Sequence, residues 1–377
     1  MSEDNRCWKF TGDSGEFRLD RADEYNRLYF PLTNEAEMMS AITPTLNGDI
    51  KTGQNTFAME AVSVENLHNN RSSRNFWFLI NGEKLWSAAG NSAAQNSKKF
   101  SAENDEETAV EAGFLWHKII RKSKDLKIQS EITNFVPAED DQVELMQVKI
   151  INNGDREIEL TPTAAIPIYG RSADNLRDHR HVTSLLHRTK TTESGVVVTP
   201  SLSFDERGHK KNDVSYAVLG AEDSGNKPSG FYPVLEDFIG EGGFLDWPKA
   251  AAEMDENYLK AGAEIDGYES IGALRFKNIE LAPGEEKTYV LAVVIDEDAD
   301  NKLIETAAEK YCSSEKFDKY LAENKEYWQQ KLDKFKLNSG DNDFDLWMRW
   351  VCLQPILRRI YGCSFLRHHD YGRGGRG

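Results

Sequence analysis

A chain of 377 residues has room for two or three domains, and 39% hydrophobic residues with 8 Trp, 18 Phe and 13 Tyr supply a sizeable core. The net charge of −17, from 63 acidic against 46 basic side chains, argues against nucleic acid or an anionic membrane surface as a partner. No apolar run approaches the ~20 residues of a membrane span, and the opening Met-Ser-Glu-Asp-Asn-Arg has no signal core.

The first polar punctuation is residues 66–75, Asn-Leu-His-Asn-Asn-Arg-Ser-Ser-Arg-Asn, before an aromatic strand at 76–80. It reads as hydrogen bonding to a ligand or another subunit, or more simply as a loop satisfying its own backbone through Asn and Ser. Residues 85–98 set Trp86 among Ser87, Gly90, Asn91 and Ser92. Small residues around one Trp frame either a sugar platform or a tight strand corner. Leu126, Ile128 and Ile132 then alternate with polar neighbours, as do Val148 and Ile150. Period two predicts strands with one buried and one wet face. Asn152-Asn153-Gly154-Asp155 predicts a hairpin between two strands, and Pro283-Gly284 does the same between 274–281 and 288–295. Many strands joined by turn chemistry predict a large antiparallel β-sandwich over residues 1–300.

Three long stretches interrupt that pattern. Residues 171–188 hold Asp174, Arg177, Asp178, His179, Arg180, His181, His187 and Arg188. His179 and His181 share a face if the segment is extended, and Asp178 lies beside them. No third ligand stands at a recognisable spacing and four Arg would repel a cation, so no metal is assigned. Arg177, Asp178, His179, Arg180 and His181 read instead as an anion- or carbohydrate-facing loop, or as an interface salt network. Residues 205–213 and 240–258 are irregular, the latter with Phe244, Trp247 and Tyr258. Trp247 reads equally as a stacking face for a sugar and as a small core beneath its own loop. The four cysteines, Cys7, Cys312, Cys352 and Cys363, show no CxxC spacing and read as reduced thiols of a cytoplasmic protein.

After residue 300 the period lengthens. A short helix is predicted at 302–311, then an amphipathic one from Phe317, Leu321, Trp328, Leu332 and Phe335. Asn338-Ser339-Gly340 closes it, and Asp341 or Asp343 caps the next. Residues 344–360 are apolar nearly all round, which predicts burial on most sides against partners missing from the chain. Residues 361–377 then crowd Arg367, His368, His369, Asp370, Tyr371, Arg373 and Arg376 among glycines. Glycine admits close approach, and these side chains grip hydroxyls or phosphate, so this reads as a sugar- or phosphate-binding loop or as a flexible tail. No nucleophile elbow, P-loop or dinucleotide fingerprint is present, and no cofactor is assigned. Among so many Asp and Glu, choosing an acid/base pair would be arbitrary.

Several pieces together resemble glycoside hydrolase family 94, the inverting glycoside phosphorylases once grouped as glycosyltransferase family 36. Leu-Trp-Ser-Ala-Ala-Gly-Asn-Ser at 85–92 is similar to the family's Trp-Ser-x-x-Gly-Asn-Ser segment. Phe135-Val136-Pro137 followed by Val143-Glu144-Leu145 is similar to its second-sheet strands, and residues 371–377 to the Gly-Arg-Gly stretch before its Gly-aromatic-Arg-Asp motif. The resemblance implies a mainly β fold with C-terminal α: a β-supersandwich at 1–300, a helical linker at 301–340, and at 341–377 the first helix and substrate loop of a truncated (α/α)6 barrel. It also implies phosphorolysis of a β-linked oligosaccharide, with inorganic phosphate as co-substrate and a general acid Asp beyond residue 377. On that footing the chain alone is expected to be inactive. Residues 177–186 look closest to the β-1,2-glucan-acting branch, cellobiose-type substrates being the other expectation, and a homodimer through the sandwich is expected. A carbohydrate-binding or dimerisation module without chemistry is the alternative.

Overall fold

The computed structural model describes residues 7–25, 27–205 and 208–362. It is mainly β, with the longer helices at the C-terminal end. The large sheet has eleven antiparallel strands, ordered Trp8–Phe10, Phe17–Asp20, Glu106–Gly113, Trp116–Ser123, Ile128–Phe135, Val143–Asn152, Glu286–Asp296, Ser215–Glu222, Gly195–Pro200, His187–Thr191, Glu264–Asp266. A six-stranded second sheet runs Gly230–Val234, Ser270–Arg275, Ile158–Ile168, Asn75–Ile80, Lys84–Ser87, with Ile279–Leu281 also paired to Ile158–Ile168. A small sheet (Phe30–Thr33, Met39–Ile42, Ile50–Gly53, Thr56–Phe57) and a two-stranded ribbon (Leu202–Asp205, Gly208–Lys211) complete the β structure.

Strand Glu286–Asp296 carries the logic of the packing. Tyr289, Leu291, Val293 and Ile295 enter the core between the two main sheets, where Phe76, Phe78, Phe276 and Leu274 meet them. Val290, Ala292 and Val294 point the other way, onto Ile304, Ala307, Phe317 and Tyr320 of helices Lys302–Tyr311 and Ser314–Leu332. The outer face of the second sheet is covered as well, by Leu235, Phe238, Ala250 and Ala251 against Trp77, Leu79, Ile271 and Ala273. The expected wet face is therefore absent from these central strands, which read as continuous apolar runs because both faces are dry. It survives in part of Val143–Asn152, where Val148 and Ile150 are buried and Gln147, Lys149 and Ile151 are only half-buried.

Neither expected hairpin forms. Val143–Asn152 belongs to the large sheet and Ile158–Ile168 to the second, so residues 152–155 carry the chain between layers. Ile279–Leu281 and Glu286–Asp296 are divided by Pro283-Gly284 in the same way. The two crossings are stitched together by Asn152, whose Nδ2 donates to the carbonyls of Arg156 and Leu281, both at 2.8 Å. Turn residues thus marked reversals correctly, but reversal onto another sheet has the same local chemistry as a hairpin.

Helix Asn342–Tyr361 is capped by Asp341, whose Oδ1 accepts from Phe344 N at 3.1 Å. It does have partners in the chain: Leu353 and Leu357 pack with Phe114, Leu115, Trp328 and Leu332. Phe344, Trp347 and Val351 stay exposed, so one face is buried rather than most of the helix, contrary to expectation. Phe335 is also exposed, because helix Ser314–Leu332 ends before reaching it.

A fully buried ion pair joins the layers. Arg74 immediately precedes strand Asn75–Ile80 of the second sheet, and Glu144 lies in the large sheet. Arg74 Nε and Nη2 donate to the two Glu144 oxygens at 2.5 and 2.9 Å. Nη2 also donates to Ser40 Oγ of the small sheet at 2.8 Å, and Nη1 to Gly48 O at 3.1 Å. His117 is buried in the same region, its ring centre 5.1 Å from that of Phe30. Neither ring nitrogen has a hydrogen-bond partner among the described residues.

Burial, reinforced by the charge on Arg74, pushes the His117 pKa down to about 3. The unfolded chain takes up this proton more readily than the native state. The associated stability is complete above the ordinary His value of about 6.5 and is lost as pH falls toward about 3. At pH 5 the loss relative to pH 8 is about 2 kcal/mol from this one group. Urea unfolding of the wild type and of His117→Gln at both pH values checks this. The variant should show a pH dependence shallower by about that amount, and an unchanged dependence would contradict the buried neutral imidazole.

Candidate functional site

Three loops meet at one end of the second sheet through an ionic network. Residue Glu60 follows the small sheet, Asn69 and Arg71 lie in the turn before Arg74, and Glu269 precedes strand Ser270–Arg275. Arg180 Nη1 stands 2.6 Å from Glu60 Oε2 and 3.6 Å from Glu269 Oε1. Arg71 Nη1 donates to Glu269 Oε2 at 2.9 Å, and Asn69 Nδ2 donates to Glu60 Oε1. Burial alone would lower the Arg180 pKa; the adjacent Glu60 carboxylate, and then Glu269, raise it above its ordinary value. Arg180 is therefore a fixed cation that anchors its loop, not a free arm.

The sequence around Arg180 folds into two short helical turns rather than a strand. Ser172 Oγ accepts from Asp174 N at 3.2 Å and opens the turn Ala173–Arg177. Asp178 accepts from Asn175 Nδ2 at 3.1 Å. The His179 carbonyl accepts from Val182 N and Thr183 N, both at 3.0 Å, and starts the turn Arg180–Ser184. His179 and His181 still face each other, with ring centres 5.6 Å apart, but across a helical turn. Among the described residues, no group of three His, Cys, Asp or Glu side chains comes together to hold a metal.

Arg177, Asp178, His179 and His181 are exposed, and Val182, Leu185 and Tyr268 extend the same surface. Leu185 packs beside Gly267, next to Tyr268. Imidazoles, a guanidinium, a carboxylate and a phenol ring in the open offer directional donors and acceptors for hydroxyls and one apolar face for a sugar ring. The structure thus gathers four of the five residues singled out at 177–181 on the surface and draws the fifth, Arg180, into the network. Glu60, Glu269 and Tyr268 were missed, and Arg71 was noted only as part of the 66–75 turn. A lone acid inside the apolar run Phe57-Ala58-Met59-Glu60-Ala61-Val62 was the available signal. The residues Arg367, His368, His369, Asp370, Tyr371, Arg373 and Arg376 lie outside the described residues.

The two aromatic loops come out differently. Trp86 is buried, its Nε1 donating to Glu106 Oε1 at 2.7 Å. Arg121 is buried too and donates to both oxygens of Asp23, at 2.8 and 3.0 Å, and to Glu106 Oε2 at 2.5 Å. Ser92 and Gln95 form a capping box for the helix Ala93–Lys98, and Asn91 Nδ2 donates to Thr45 O at 2.7 Å and Ser73 Oγ at 2.8 Å. Residues 85–92 therefore build a strand corner, not a platform for sugar. Residues 66–75 serve their own backbone only in part: Asn69 Oδ1 accepts from Arg71 N at 3.0 Å, while the side chains of Asn69, Arg71 and Arg74 reach Glu60, Glu269 and Glu144. Trp247, by contrast, is half exposed beside the exposed Phe244.

Gly90 makes the corner sensitive to a single methyl group. Its φ is +79°, and a Cβ there would lie 2.2 Å from Arg121 Cζ. Gly90→Ala should destabilise the protein by about 2–4 kcal/mol through backbone strain and displacement of a buried cation. Chemical unfolding measures this; a loss below about 0.5 kcal/mol, typical of a neutral surface change, would contradict the assignment.

A bacterial glucoamylase complexed with acarbose is similar in structure at 12% identity and a TM-score of 0.40, over 87% of this chain and 39% of that one. A family GH92 alpha-mannosidase from Bacteroides thetaiotaomicron is similar at 12% identity and a TM-score of 0.36, over 88% of this chain and 36% of that one. A GalM/aldose epimerase homologue from C. elegans is similar at 8% identity and a TM-score of 0.39, over 72% of this chain and 99% of that one. The chain thus spans well under half of the first two. No curated protein matches it. The family described as "Glycosyl hydrolase 94, supersandwich domain" matches residues 72–314, from the turn before Arg74 to the start of the second long helix. That match takes in the second sheet, nine of the eleven strands of the large sheet and well over half of the sequence, and the chain accordingly belongs to the glycosyl hydrolase 94 family.

Proposed function

We propose that this chain is the supersandwich part of an inverting glycoside phosphorylase. The observation that carries the reading is the family match across residues 72–314. In the proposed reaction, a phosphate oxygen attacks the anomeric carbon of a β-linked glucosyl unit from the face opposite the glycosidic oxygen. That bond breaks, the leaving oxygen takes a proton from a general acid, and the product is an α-configured sugar 1-phosphate. Phosphate is the co-substrate and no other cofactor enters. A β-1,2-linked oligoglucan is the proposed substrate, with cellobiose-type sugars as the other class.

Arg367, His368, His369, Asp370, Tyr371, Arg373 and Arg376 are proposed to bind sugar and phosphate, Arg373 through the planar fork that matches phosphate. Arg177, Asp178, His179 and His181, held in place by Arg180, are proposed as a secondary sugar-facing surface. The exposed ring of Tyr268 beside them favours carbohydrate binding even where no chemistry occurs. That is the second reading, a carbohydrate-binding or dimerisation module. A cytoplasmic homodimer paired through the sandwich is part of the proposal.

The gene product carrying this chain, incubated with phosphate and β-1,2-, β-1,3- and β-1,4-linked glucosides, should release α-glucose 1-phosphate, followed by phosphorus NMR. Arg373→Ala should lower kcat/KM for phosphate by about one to two decades, the worth of one charge-assisted hydrogen bond, with the melting temperature unchanged. Free glucose as the sole product, or no turnover of any linkage, would overturn the phosphorylase reading. Retained binding of the sugars without turnover would then support the module.

A further inference from the structure

A cavity of about 470 Å³ opens where the first strands of the large sheet meet the helix Ala93–Lys98. That lies within the ~300–1,000 Å³ of ordinary small-molecule sites. Ala109 and Ile120, paired across neighbouring strands, give it an apolar floor, and Asn104, Thr108 and charged side chains form its walls. None of residues 177–181 lines it.

Most of the charge on those walls is already paired. Arg18 Nε is 2.9 Å from Asp20 Oδ1, and Arg21 Nη1 is 3.6 Å from Glu24 Oε2. Asp23 and Glu106 are both held by the buried Arg121, and Glu107 pairs with Lys124 at 2.9 Å. Two lysines remain on the walls. Lys122 is exposed to water, whereas Lys99, which ends the helix, is half-buried. Lys99 Nζ lies 5.7 Å from the centre of the Phe100 ring and makes no hydrogen bond or ion pair among the described residues.

Burial depresses the Lys99 pKa below its ordinary value, and the adjacent Arg121 guanidinium adds to the effect. Asp23 and Glu106 oppose it without contact, their hydrogen bonds going to Arg121. A desolvated lysine beside a second cation keeps a larger share of its amine neutral and nucleophilic near pH 7. The natural target of such an amine is a carbonyl carbon. Around it, Asp20, Glu24, Glu107, Asn104 and Thr108 retain lone pairs and N–H or O–H groups for hydroxyls. A carbonyl compound that also carries hydroxyls matches both features.

We propose that Lys99 forms a Schiff base with the open-chain aldehyde of an aldose held in this cavity. The Nζ lone pair bonds to C1 as the carbonyl π pair moves onto oxygen, which takes one amine proton. The hydroxyl so formed leaves as water with the second amine proton, and the C=N bond closes. One water is released for each adduct, and no oxidant or reductant takes part. The site does not depend on the phosphorylase reading.

The probe is glyceraldehyde, the smallest aldose, applied to the intact protein at pH 7 with sodium cyanoborohydride, which reduces the imine to a stable secondary amine. Peptide mass spectrometry then reads the adduct at each lysine. Lys99 should carry several times the adduct of Lys124 and Lys127, both more than half exposed and ion-paired. That ratio should shrink as the pH is raised to about 9.5, where ordinary lysines also begin to lose their protons. Propionaldehyde, which lacks the hydroxyls, should favour Lys99 less. These measurements use the wild type and need no variant to fold. Adduct at Lys99 no greater than at the two exposed lysines would overturn the proposal. A ratio that stays the same at both pH values would overturn it as well, because access alone would then explain the labelling. Equal preference for Lys99 with propionaldehyde would overturn the assignment to an aldose.

Discussion

The guanidinium of Arg74 is the point at which the three sheets are held to one another. It is fully buried, stands at the start of a second-sheet strand, and grips Glu144 in the large sheet with two of its nitrogens. The same group reaches Ser40 and Gly48 around the small sheet. Taking either charge out of water is costly, and the cost is recovered only while both partners and their surrounding hydrogen bonds are in place. Bidentate geometry makes the pair directional as well as attractive. A slip of one strand would therefore leave two buried charges apart. The turn carrying Asn69 and Arg71 leads directly into Arg74, so the surface network around Glu60, Arg180 and Glu269 inherits its position from this pair. The last long helix is tied to the same neighbourhood, because Tyr361 Oη lies 2.8 and 2.7 Å from the carbonyl oxygens of Leu32 and Ser40 and accepts from Ser40 N at 3.1 Å.

What could be read beforehand follows from how local each signal is. Helix Ser314–Leu332 announced itself because period 3.6 is written within one segment. The β character of residues 1–300 was visible for the same reason. Sheet membership was not, because Asn-Asn-Gly-Asp turns a chain regardless of where the next strand docks. The double coverage of strand Glu286–Asp296 also depended on helices that follow it in sequence but pack back across it. Phe135-Val136-Pro137 and the corner at 85–92 located the family while concealing their purpose. Trp86 and Gly90 are there to seat Arg121, and a buried cation leaves no trace in a hydrophobicity pattern.

The candidate site was legible by composition and not by geometry. A run of Arg, Asp and His marked residues 177–181, but a helical turn rather than a strand places His179 and His181 on the surface. Arg180 looked like its neighbours in the sequence and differs from them only because Glu60 and Glu269 arrive from distant segments. Arg171 and His187 bracket the same loop and were drawn inward. One loop thus carries an exposed polar surface, an anchoring ion network and two buried polar residues, Arg171 and His187. The buried groups explain how the exposed surface is held.

The dependence of the whole on Arg74 and Glu144 is tested most directly by a double-mutant cycle. Unfolding free energies would be measured for wild type, Arg74→Met, Glu144→Gln and the double variant. Each single change should cost about 3–5 kcal/mol by stranding its partner in the core. The double variant should be no less stable than the worse single, giving a large coupling energy. Single losses below about 1 kcal/mol that simply add, as for an exposed pair, would contradict the account.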